Sequence, residues 1–317
     1  MKVIRWVPVL IITSVTAWSY YAYVIQLCLF TLKCSTQKVL YLSVFHVCFL
    51  MFCWCFWRTL STGPSSPSTT FHLSDTQHYD LLDAVELKGE ILFRITHQLP
   101  FNTRTATGAF RFCRHCQLIK PDRCHHCSVC QICVLKMDHH CLWLNNCIGF
   151  SNYKFFLLFL LYSLLYCLCI VTTVTPSFFH LWLSSLFNSS GKLHILFLML
   201  VSVIFLVTLS CLLFFHCWLL ANNKTTLEWL SVPFFPDGPD GEAFDLSVKE
   251  NVLQVFGLDW RLWLLPVSSS QGDGHSFPLR RHNATHHPII MNGSGCWEQE
   301  AFIAPQEDHN VTITVDA

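Results

Sequence analysis

Four stretches of this chain carry no charged residue, and they decide what it can fold into. They are residues 6–32 (WVPVLIITSVTAWSYYAYVIQLCLFTL), 39–57 (VLYLSVFHVCFLMFCWCFW), 155–175 (FFLLFLLYSLLYCLCIVTTVT) and 194–219 (HILFLMLVSVIFLVTLSCLLFFHCWL). About 20 apolar residues cross a bilayer core as a helix. Open strands leave backbone polar groups unpaired in lipid, so helices are the expected form. The pattern predicts an all-α membrane protein with four transmembrane helices. Only 13% of the 317 residues are charged, against about 25% in a soluble domain. The first block is long for a signal peptide and has no small-residue cleavage site near its end, so it is read as a retained span. A net charge of zero gives no sign of nucleic-acid binding.

Lysine and arginine set the expected orientation. Residues 58–153 carry nine: Arg58, Lys88, Arg94, Arg104, Arg111, Arg114, Lys120, Arg123 and Lys136. The 176–193 loop carries only Lys192, and the first loop has Lys33 and Lys38. Positive charge favours the cytosolic side, so the middle segment and both termini are expected there. In that reducing compartment, eight cysteines between 113 and 147 argue for metal or thiol chemistry over disulfides.

The chain divides accordingly. Residues 1–60 hold the first two spans. Residues 61–112 form a cytosolic linker (STGPSSPSTT) and an amphipathic helix over 75–100 with Asp75 at its start. Residues 113–150 are the cysteine-rich region, and 151–221 are spans three and four. Residues 222–265 form a C-terminal segment, and the polar 266–317 reads as a disordered tail.

Cys113/Cys116 and Cys127/Cys130 are two C-x2-C pairs, each able to give one tetrahedral Zn²⁺ two thiolates. The remaining ligands would come from Cys124, His125, His126, Cys133, His139, His140, Cys141 and Cys147. Two closed sites take eight ligands, so at least one cysteine stays free. Asp138, His139 and Cys141 form the parts of an activated nucleophile: thiol, base and orienting acid. Ligation of zinc by Cys141 is the competing reading. Position favours the nucleophile, because the third span starts at Phe155, fourteen residues on. A thiol there can meet a fatty acyl carbonyl at the membrane interface.

These residues resemble the DHHC protein S-acyltransferases (palmitoyltransferases). The sequence has DHHC at 138–141, preceded by C-x2-C, HC-x2-C and C-x4, and followed by W-x-NNC-x-GF. TTLE at 225–228 looks like the family's TTxE motif, and ENVLQVFG at 250–257 looks like its C-terminal motif. The WVPVLI and WSYYAYV segments of the first span are similar to the long-chain-preferring subgroup. The resemblance spans about residues 1–265 and implies ping-pong transfer of a palmitoyl group from acyl-CoA to protein cysteines. It makes Cys141 the acylated nucleophile, His139 its base and Asp138 the orienting acid. It implies one structural zinc on Cys113, Cys116, His126 and Cys133, and another on Cys127, Cys130, His140 and Cys147. Thr226 would bond near Asp138 and Asn251 would pin the C-terminal segment. Ser19 and Tyr166 would close the acyl cavity. Leu142 stands where the family usually has proline, and Leu144 where valine is usual.

Lys120 and Arg123 are the candidate cations for the phosphates of CoA. Trp143 is expected to pack at the interface. Expected partners are acyl-CoA, the bilayer, and cytosolic or membrane-associated proteins with juxtamembrane cysteines. The expected location is Golgi, plasma membrane or endosomes. The alternative is a non-enzymatic, membrane-tethered zinc-finger adaptor that recruits protein partners.

Overall fold

A computed structural model describes residues 4–72, 101–183 and 190–280. The amphipathic helix expected over 75–100 lies outside these residues. Four long apolar helices dominate, as the charge-free blocks require: α1 (Ile4–Thr31), α2 (Ser35–Ser61), α3 (Tyr153–Leu183) and α4 (Ser190–Ala221). Helix α1 opens with a 3-10 turn at Ile4–Trp6 and widens into a π-helix over Tyr21–Thr31. Helix α3 is central; α2 and α4 pack along it. Its membrane segment is 56% buried, against 17% for α2 and for α4. The outward faces carry exposed Leu10, Val47, Val207 and Phe214. That apolar exterior suits lipid, where a water-soluble protein would place charge.

Aromatic rings fill the bundle. Tyr23 stacks on Phe45 with centroids 4.0 Å apart, and Tyr166 lies against Phe45, Phe49 and Phe52. This cluster sits about 20 Å along α3 from its first residue, at 1.5 Å per residue.

Between α2 and α3, residues 112–148 fold into three two-stranded hairpins. They are β1–β2 (Phe112–Cys113 with Leu118–Ile119), β3–β4 (His125–Cys127 with Ile132–Val134) and β5–β6 (His139–Cys141 with Asn146–Ile148). The three share one plan. Cys113, Cys127 and Cys141 are spaced 14 residues apart and close their hairpins opposite Leu118, Ile132 and Asn146. In each, the last loop residue has positive φ: Gln117 at 52°, Gln131 at 60° and Asn145 at 45°. Such tight turns supply closely spaced ligands without needing a large hydrophobic core.

Third-hairpin asparagines tie this region to the bundle. Asn146 Nδ2 donates to the carbonyls of Thr59 and Thr62 at the end of α2 (2.9 and 2.8 Å). Asn152 Nδ2 donates to Thr62 and Cys147 carbonyls, and its Oδ1 accepts from Gly149 N–H. Gly149 has to be glycine: a Cβ would meet the Leu135 carbonyl at 2.8 Å.

After α4 come a short helix α5 (Thr226–Leu230), the ribbon β7–β8 (Phe234–Phe235, Gly238–Pro239) and helix α6 (Val248–Phe256). Asn251 is buried and donates to Ala221 O (2.8 Å) and Asp245 Oδ1 (2.6 Å), joining α6 to the end of α4. The expectation of a free tail from residue 266 is corrected as far as Arg280. Lys154 Nζ donates to the carbonyls of Leu262 and Val267 and to Ser269 Oγ. Phe277 lies on the Arg123 guanidinium, and Arg280 pairs with Glu242. A buried lysine that needs acceptors holds this irregular segment in place, although the composition is polar.

Candidate active site and metal centres

Each cysteine cluster joins two neighbouring hairpins. The loop of β1–β2 gives Cys113 and Cys116, and the cross-strand pair His126↔Cys133 of β3–β4 completes the set. The loop of β3–β4 gives Cys127 and Cys130, completed by the pair His140↔Cys147 of β5–β6. The thiol–imidazole distances fit a metal. Cys113, Cys116 and Cys133 lie 3.5, 3.4 and 3.9 Å from His126 Nδ1. Cys127, Cys130 and Cys147 lie 3.7, 3.5 and 3.4 Å from His140 Nδ1. Tetrahedral Zn²⁺ with its usual S and N bond lengths separates such donors by about 3.5 Å. Both Cys₃His sets therefore suit zinc. Cys124 is fully buried beside the first cluster and outside its donor set.

The third hairpin repeats the loop but lacks its second cysteine. Where the first two have cysteine as the fourth residue of the motif (Cys116, Cys130), it has Leu144, which is buried. Cys141 thus occupies a ligand's position with no second thiol beside it. Strand alternation does the rest. His140 faces the second cluster, while His139 and Cys141 share the opposite face. Cys141 is 8% exposed and belongs to one apolar cluster with Phe52, Phe156 and Phe159. The adjoining Leu142 and Trp143 are 68% and 58% exposed at the hairpin tip.

Asp138 is buried and accepts three hydrogen bonds. Its Oδ2 accepts from His139 Nδ1 at 2.6 Å and from Thr226 Oγ1 at 2.9 Å; its Oδ1 accepts from Thr226 N–H at 2.9 Å. Burial works against this carboxylate, but those donors hold it below the usual range. Burial also disfavours a charged His139. The bonds to Asp138 and Cys141 overcome that and lift it to about 9. The arrangement can hold an imidazolium beside a thiolate.

Thr225 and Glu228 form a reciprocal capping box at the start of α5, which presents Thr226 to Asp138. Glu228 also takes Arg123 in a bidentate pair, Nε to Oε1 at 2.7 Å and Nη2 to Oε2 at 2.6 Å. Arg123 further donates to Asn223 Oδ1 and O. Only 2% of Arg123 is exposed. This corrects the expectation that it meets CoA phosphates: its donors are spent on a buried strut. Lys120 is buried as well. Ser19 Oγ and Tyr166 OH come together at 2.9 Å, joining α1 to α3 within the bundle.

A profile of the DHHC palmitoyltransferase family matches residues 106–232. Palmitoyltransferase ZDHHC15A of Danio rerio is 60% identical over 317 residues, covering 99% of this chain and 97% of the relative. The chain belongs to the DHHC palmitoyltransferase family. Human palmitoyltransferase ZDHHC15 is 50% identical over 94% of the chain and 88% of its own length. Human palmitoyltransferase ZDHHC2 is 51% identical over 87% and 76%. Against the family motif, His139 and Cys141 share one face of β5, His140 takes the other, and Asp138, just before the strand, is bonded to His139.

Sequence reasoning passed over three contributors and misplaced a fourth. Asn146 and Asn152 seat the third hairpin, and only the NNC run hinted at the first. Arg123 was read for its charge, not for burial. His216 of α4 stands against His139 with ring centroids 5.9 Å apart. Nothing in an apolar span distinguishes such a histidine from a packed one.

Proposed function

We propose that this palmitoyltransferase carries its acyl group on Cys141. The observation that bears the reading is that Cys141 has the lead position of a zinc loop but faces away from both Cys₃His sets, toward His139 and the apolar end of the bundle. His139 takes the thiol proton, and Asp138 holds the imidazole's orientation and balances its charge. The thiolate attacks the thioester carbonyl of palmitoyl-CoA and CoA leaves as its thiol. A substrate cysteine then takes the acyl group, and Cys141 returns to its starting form. One thioester replaces another, so no energy source is required. Zinc held by Cys113, Cys116, His126 and Cys133, and by Cys127, Cys130, His140 and Cys147, supplies rigidity to the hairpins.

The acyl chain runs from Cys141 between α2 and α3 toward the Ser19–Tyr166 pair. That pair closes the path, so the site prefers long chains. Trp143 and Leu142 dip into the interface. The hairpins and both termini face the cytosol, in Golgi, plasma or endosomal membranes. Substrates are proteins with cysteines close to that surface.

The test is uptake of labelled palmitate from palmitoyl-CoA by the purified protein. Hydroxylamine should release the label, and Cys141→Ser should abolish uptake with two zinc ions per chain retained. Uptake that survives Cys141→Ser would refute the reading. If neither protein takes up label, the adaptor reading stands.

A further inference from the structure

We propose that Asp138, His139 and His216 form a third divalent-cation site, weaker than the two cysteine sites, whose occupation by Zn²⁺ stops acylation. One donor atom from each of the three lies within 4.8 Å of the others. They come from two elements: Asp138 and His139 from the third hairpin, His216 from α4.

His216 is 2% exposed. Its Nδ1 lies 3.4 Å from Tyr153 OH. Its Nε2 has no hydrogen-bond partner among the described residues. The ring is fixed by aromatic packing: Phe156 meets it edge-on at 4.9 Å and meets His139 at 5.3 Å. A buried imidazole thus has one nitrogen free of hydrogen bonds in a cluster with a carboxylate and a second imidazole. Asp138 has accepted three hydrogen bonds of the four its lone pairs allow. One carboxylate lone pair and two imidazoles form a borderline-soft N/O set, which zinc takes with a fourth position left open.

Zinc at about 2.0–2.1 Å from each donor needs separations of about 3.3 Å. His216 must therefore close on the pair, and Asp138 and His139 must part from 2.6 Å. That movement makes the site weaker than the preformed cysteine sets. On binding, His139 gives up any extra proton to solvent and donates a ring lone pair to the ion. Whichever nitrogen is taken, His139 loses either its lone pair toward Cys141 or its bond to Asp138. Binding stands on geometry alone; the loss of acylation rests on His139 acting as proposed above.

The test uses the full-length protein with its two tight zinc ions in place. Added Zn²⁺ should bring a third equivalent and suppress autoacylation over the same concentration range. His216→Gln should lose the third equivalent, keep the first two, and need at least tenfold more zinc for half-suppression. Added Co²⁺ provides a second readout on the wild type. It should give weak visible bands without the intense thiolate charge-transfer band of a cysteine site. A thiolate band, an unchanged His216→Gln titration, or suppression without a third equivalent would each overturn the proposal. Metal counting does not depend on turnover. If the third ion binds and acylation continues, the site is real and the role given to His139 is what fails.

Discussion

Thr226 gives Asp138 both its backbone N–H and its hydroxyl, each at 2.9 Å, across 88 residues of sequence. The TTLE stretch therefore supplies two of the three hydrogen bonds the carboxylate accepts, and Thr226→Val removes one of those two. A hydrogen bond to a charged group is worth about 1.5–3 kcal/mol. Single-turnover acylation should slow at least tenfold with zinc content unchanged. A rate within twofold of wild type would show that the backbone bond alone suffices.

The Asp138–His139 bond makes a pH prediction. Against the effect of burial, Asp138 and Cys141 lift His139 to about 9, from about 6.5 for an ordinary histidine. The imidazolium that favours a Cys141 thiolate is present below that value and lost above it. Acylation should hold through neutral pH and decline as pH passes about 9. Asp138→Asn removes the larger lifting partner, so the alkaline decline should move toward the ordinary histidine range. An unmoved limb would assign it to another group.

Arg123 and Glu228 are a buried ion pair, so losing one partner strands the other. Arg123→Met should destabilise the protein by about 3–5 kcal/mol, read as a lower thermal midpoint in detergent. Arg123→Met with Glu228→Leu should recover much of the loss. No recovery in the double variant would mean that the bonds from Arg123 to Asn223 dominate.

Cys130 and Cys124 are both inside the hairpin array, yet only Cys130 belongs to a donor set. Cys130→Ser should reduce bound zinc from two ions to one, and Cys124→Ala should keep two. Metal analysis of the purified variants decides it. A missing ion in Cys124→Ala would redraw the first cluster.

The Ser19–Tyr166 contact is expected to set acyl length. Tyr166→Ala should shift preference to longer acyl-CoA chains, and Ser19→Phe to shorter ones. A competition series of acyl-CoA lengths measures this. The same profile for both variants would move the end of the path elsewhere.

Much of this was legible in the sequence, for physical reasons. Charge-free runs of this length have only one stable form in lipid, so all four helices appear where the blocks lie. Cysteine pairs with two-residue gaps announce metal because little else requires that spacing. The spare cysteine was legible by counting. The division of ligands was not legible from spacing, because it depends on which residues face each other across β3–β4 and β5–β6; the family resemblance implied it, and the structure groups the same two sets. Arg123 misled because charge suggests surface, and burial depends on Glu228, 105 residues away. The ordered segment over 266–280 was hidden because Lys154, not the segment's own composition, holds it.

The three-fold hairpin plan has a numerical consequence. Each unit lends its loop forward and its strand pair backward, so a row of n units closes n − 1 cages. The first unit has no upstream loop to receive and places Phe112 and Ile119 where ligands would stand. The last has no downstream unit, and its leading sulfur is left without an ion to bind. The thiol proposed to carry the acyl group is the remainder of a repeating scaffold of ligand sets, freed by where the row stops.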